Sequence, residues 1–155
     1  MNARERARLA RDNFLEGYNC PQSVVGAFED VLAKNGIDVQ TALRLSSPFG
    51  GGMGRMREVC GAVSGMLMVL GLVEGYNDPA AYDSKKVLYE HAQQLAGEFE
   101  KQNGSILCRD LLGLQEGRDV ATPERRTQEY YDSRPCAGIV QSAAQILGEY
   151  LEKNC

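Results

Sequence analysis

Apolar residues recur along this chain every three or four positions, the spacing of one helix face, and no segment shows the alternating β-branched pattern of a strand. Over residues 3–17, Leu9, Phe14 and several alanines form one stripe, charged residues fill the other face, and Gly17 stops the run. Asn19 suits the N-cap of a second helix over 19–35 that carries Cys20, Val24, Val25, Phe28, Val31 and Leu32, with Asn35 and Gly36 closing it. Asp38 caps a short helix over 38–45. The stretch 46–54 is expected to be irregular, because glycine at such density resists helix entropically.

Residues 55–72 are apolar nearly all round, the pattern of a helix at the centre of a bundle, and this helix is expected to hold Cys60 in its interior. Gly61 and Gly65 lie one turn apart on it and leave a groove that another backbone can approach. Asp78 and Pro79 start the longest helix, over 78–102, and Asn103-Gly104 ends it. Ser105 caps a short helix over 105–112 bearing Cys108, and a polar loop follows over 113–121. Thr122-Pro123-Glu124 begins a further helix, which Ser133-Arg134-Pro135 interrupts. The last helix starts near Cys136 and turns Ile139, Val140, Ala143, Ile146, Leu147 and Tyr150 inward. The expected fold is an all-α bundle of about six helices, one domain over residues 1–155, with the apolar 55–72 helix at its centre.

A chain of 155 residues buries enough surface to need no covalent staple, so its five cysteines call for another explanation. A net charge of -4 with mixed signs throughout lacks the basic stripe that nucleic acid or an anionic membrane would require, and neither partner is expected. The N-terminus carries charges from Arg4 onward and no apolar core of a secretory signal. The longest apolar stretch, 59–73, is interrupted by Gly61, Ser64, Gly65 and Gly71 and is shorter than the roughly 20 residues that span a bilayer, so no membrane insertion is expected. These features point to the cytoplasm, where thiols are kept reduced and a set of cysteines reads first as catalytic, redox-sensing or metal-binding.

Cys20, Cys60, Cys108 and Cys136 fall on four different expected helices, each beside a distinctive backbone feature. Cys20 and Cys136 lie in first turns, where free amide N–H groups and partial positive charge favour thiolate. Arg57, Arg109 and Arg134 lie within a few residues of Cys60, Cys108 and Cys136. Cys155 ends the chain and is set aside. The order of a cysteine in Asn19-Cys20-Pro21, a Cys60-Gly61-Ala62-Val63-Ser64-Gly65 motif, then Cys108 and Cys136, resembles the bacterial and archaeal family named C_GCAxxG_C_C, with Cys60 preceding Gly61 where the name spells Gly-Cys-Ala. The resemblance implies a helical protein with four redox-capable cysteines and names no substrate.

The leading expectation is a thiol-disulfide protein without cofactor: a thiolate at a helix N-terminus, Cys136 or Cys20, attacks an acceptor, and a second cysteine resolves the mixed disulfide. Its redox partner would be a protein or a small thiol. The alternative is a metal carrier, with Cys20, Cys60, Cys108 and Cys136 ligating zinc or an iron-sulfur cluster, although the C-x2-C spacing of structural zinc sites is absent. A third reading is a non-catalytic structural or interaction module, which would suit a homo-oligomer. Three further features are weighed against packing: the Gly50–Gly54 run as an anion nest, His91 as a proton carrier, and Met53, Met56, Met66 and Met68 as a soft copper site. The acidic pair Glu29 and Asp30, like Glu98 with Glu100, is expected on a solvated face.

Overall fold

The computed structural model describes residues 1–115 and 117–155; Glu116, in the expected polar loop, lies outside the described residues. Among the described residues the chain forms nine right-handed α-helices, a short 3-10 turn at Ser47–Phe49 and no strand, with Gly50–Met53 a left-handed turn. The count exceeds six for local reasons. The expected 19–35 helix is two, Cys20–Gly26 and Glu29–Lys34, because Phe28 leaves helical geometry at φ -119°, ψ 30°. The long helix runs Tyr82–Asn103, later than expected, since Asp78 caps a turn at Ala80 instead. The helix expected from Thr122 is Gln128–Ser133, capped by Thr127 and not by Thr122. The first and last helices, Ala3–Leu15 and Cys136–Asn154, pack along each other, and a Cβ on Gly148 would lie 2.8 Å from Ala3 Cα, so their backbones approach closely.

The apolar segment is corrected most. Its helix is Gly61–Glu74, and residues 55–60 lie outside it. One face, Ala62, Val63, Met66, Val69 and Leu70, is buried, whereas Leu67, Met68, Leu72 and Val73 are half-buried, so the helix is not surrounded. The terminal Cys136–Asn154 helix buries Ile139, Val140, Ala143, Ala144 and Leu147 in the same core. No helix among the described residues is long and apolar enough to cross a membrane.

Asp30 does not lie on a free polar face. Arg6, buried on the first helix, donates to both Asp30 oxygens at 2.7 and 2.9 Å and to Ala27 O at 3.1 Å, with its guanidinium 4.6 Å from the Phe28 ring centroid. Arg6 holds the Asp30 carboxyl down at about 2. A depressed carboxylate stabilises the fold above its ordinary range, near pH 4, and that contribution is lost as pH falls toward about 2. Asp30→Asn is expected to cost roughly 1 kcal/mol at pH 7, since Asp30 is partly solvated, and to flatten the acid side of the stability profile. Urea unfolding between pH 2 and 7 checks both.

Candidate functional site

All four inner cysteines stand where helices begin. Cys20 opens Cys20–Gly26 behind the Asn19/Gln22 capping box, Cys108 opens Cys108–Leu111, and Cys136 opens Cys136–Asn154. Cys60, expected inside a helix, is the N-cap of Gly61–Glu74. The Gly61/Gly65 groove receives Pro21: a Cβ on Gly61 would lie 2.6 Å from Pro21 Cδ and 3.1 Å from Cys20 Cβ, and one on Gly65 would lie 2.8 Å from Pro21 O. The motif's glycines therefore seat the start of the Cys20 helix against the start of the next, which no side chain at these positions would allow.

Cys60 and Cys108 are brought together by backbone pairing. Val59 and Leu107 form an isolated antiparallel bridge, with Cys60 N donating to Ile106 O and Cys108 N to Glu58 O, both at 2.7 Å. Successive side chains alternate in extended backbone, so Cys60 and Cys108, each one residue past the bridge, leave its same face as diagonal neighbours. Both are buried. The segment before them is a left-handed turn: Gly51, Gly52, Met53, Gly54 and Arg55 all have φ between 60° and 68°. Gly52 is packed so tightly that a Cβ there would lie 2.6 Å from Cys108 Cβ and 2.7 Å from Glu58 N. Met53, Arg55 and Arg57 adopt positive φ without being glycine, a conformation costing about 1–2 kcal/mol each. Strain of this kind persists only where surrounding structure imposes it.

Cys20, Cys60, Cys108 and Cys136 line one cavity of about 370 Å³ together with Arg57 and Arg126. Cys20 and Cys136 shift each other's ionisation in opposite directions. Hydrogen bonding from Cys20 pulls Cys136 below the ordinary thiol value against the cost of burial, assisted by Arg134, Arg126 and Arg57. The same hydrogen bond, followed by burial, raises Cys20 well above it. Within the pair, ionisation is thus favoured at Cys136, at the start of a 19-residue helix, over Cys20. Arg57 Nη1 donates to Cys108 Sγ at 3.5 Å, not to Cys60 as sequence proximity suggested, and its Nη2 reaches Asp119 at 3.1 Å.

Burial pushes the Cys60 thiol up to about 12. An acid whose folded value is raised contributes stability below its unfolded value, about 8.5, and loses it as pH rises toward about 12. Unfolding midpoints should fall above about pH 8.5, and fall less steeply in Cys60→Ala; equal slopes in the two proteins would contradict the assignment.

Other sequence candidates lie elsewhere. His91 Nδ1 is 2.7 Å from Glu74 Oε2 and 2.9 Å from the Tyr150 hydroxyl, which also binds Glu74, so three helices are tied away from the thiols. Met66 is in the core and Met68 packs against it, so packing accounts for these two; Met56 is half-buried and Met53 exposed. Cys155 is exposed at the chain end. Among the described residues no group of three or more His, Cys, Asp or Glu side chains is placed to hold a metal ion. Arg126 and Asp119 carried no sequence signal; they reach the site through a loop whose path is set by tertiary contacts.

The family model described as "Putative redox-active protein (C_GCAxxG_C_C)" matches residues 18–150, a span that includes all four inner cysteines. No curated protein and no solved structure matches the chain.

Proposed function

From the premise that the chain belongs to the C_GCAxxG_C_C family, we propose that it is a thiol-disulfide protein in which Cys136 is the attacking thiolate and Cys20 the resolving thiol. The observation carrying this reading is that Cys20 and Cys136, each at the start of a helix, line one cavity, and their neighbourhood favours charge on Cys136 and the proton on Cys20. The Cys136 sulfur attacks one sulfur of an acceptor disulfide, forming a mixed disulfide and releasing one thiolate, which takes a proton from water. Cys20 then attacks the Cys136 sulfur. The second acceptor thiol leaves with the Cys20 proton, and a Cys20–Cys136 bond forms. Two electrons pass from the protein to the acceptor, and a reducing thiol restores the starting state by the reverse steps.

Cys60 and Cys108, paired by the Val59–Leu107 bridge, lie in the same cavity as a second couple that can exchange with the first. Trapping tests the order of attack. Reduced Cys20→Ser mixed with bis(2-hydroxyethyl) disulfide should accumulate one adduct on Cys136, whereas wild type should pass through to an internal bridge. Accumulation on Cys20 in Cys136→Ser, with none in Cys20→Ser, would reverse the roles.

A further inference from the structure

Four guanidinium groups, from Arg55, Arg57, Arg126 and Arg134, line the cysteine cavity. Asp119 serves both Arg55 and Arg57 at 3.1 Å, and Glu124 pairs with Arg134. Among the described residues no carboxylate forms an ion pair with Arg126. Its Nη1 and Nη2 donate to Phe14 O and Tyr18 O at 3.1 Å, and its guanidinium sits over the Phe14 and Tyr130 rings, 4.3 and 4.9 Å from their centroids. These contacts fix the group and leave its charge uncompensated. Arg57 is 3 % exposed and its Nε has no hydrogen-bond partner, the unpaired state that a buried polar group avoids. Two carboxylates therefore face four cations, and a thiolate at Cys136 still leaves a positive excess.

We propose that the cavity selects a small carboxylate-bearing disulfide or thiol, the carboxylate held by Arg126 and the sulfur presented to Cys136. The substrate class rests on the thiol-disulfide reading, whereas the carboxylate subsite itself does not. The single uncompensated charge matches one carboxylate group, and the Arg126 N–H groups not taken by Phe14 O and Tyr18 O remain to donate to it. A volume of about 370 Å³ is at the small end of ligand pockets, which run from roughly 300 to 1,000 Å³, and suits a small molecule better than a protein segment.

Three disulfides of similar size test the charge preference: 3,3′-dithiodipropionate (anionic), bis(2-hydroxyethyl) disulfide (neutral) and cystamine (cationic). Reduced wild type should be oxidised fastest by the anion, about tenfold faster than by the neutral compound, and slowest by the cation. In Arg126→Gln the anion's advantage should fall toward unity. Suberate, the unreactive isostere in which two methylenes replace the sulfurs, provides a readout without redox chemistry. It should bind reduced wild type in titration calorimetry and bind Arg126→Gln about tenfold more weakly. Suberate binding that depends on Arg126 would sustain the subsite even if Cys136 proved unreactive. Oxidation at equal rates by all three disulfides, or fastest by the cation, or absent suberate binding, would overturn it while leaving the thiol pair standing.

Discussion

Cys136→Ser should slow oxidation of the reduced protein by a neutral small disulfide on the order of 100-fold at pH 7, the size of effect expected on losing an activated nucleophile. Cys60 near 12 is ionised on the order of one part in 10⁵ at pH 7, and burial still opposes ionisation of Cys20 once its Cys136 neighbour is replaced. Wild-type rate against pH should show an inflection below the ordinary thiol value, set by Cys136, and Cys136→Ser should lose it. Stopped-flow oxidation across pH 5–9 reads both. A Cys136→Ser protein that keeps the wild-type rate and inflection would assign the reactive thiolate to another cysteine.

The second large effect is on the fold. Gly52→Ala should destabilise the protein by about 3 kcal/mol, because the added methyl would meet Cys108 Cβ at 2.6 Å and the Glu58 backbone at 2.7 Å, and an L-residue must also hold φ of 65°. Gly104→Ala is the control: it also has positive φ, 95°, but nothing lies within 4 Å of its added Cβ, and it should cost about 1 kcal/mol. Denaturant unfolding of the pair separates steric overlap from backbone strain. Equal losses would mean that the left-handed turn is not locked against Cys108.

Helix content and the apolar faces were legible because they depend on local periodicity and caps: Asn2, Asn19 and Asp38 each accept a backbone N–H at a helix start. The Gly61/Gly65 groove was legible for the same reason, since two missing side chains one turn apart imply a close neighbour. The route by which the cysteines converge was not. Cys60 reads as helix interior because Val59, Cys60 and Ala62 continue the apolar run, yet Cys60 N is taken by Ile106 O, a partner 46 residues away. Once 58–60 pairs with 106–108, the helix can begin only at Gly61. Nor does spacing show that Arg57 turns to Cys108, because the turn of Arg57 follows from its positive φ and the left-handed run before it. That Cys20 and Cys136, 116 residues apart, line the same cavity depends on how the last helix packs and had no local signature.

The most direct test of the central claim is to oxidise reduced wild type with one equivalent of a small disulfide, block remaining thiols, and map the bridge by peptide mass spectrometry. A Cys20–Cys136 bond formed first, with Cys60 and Cys108 alkylated only after unfolding, is the expected result. A first bond that omits Cys136, or four thiols that remain free, would contradict it.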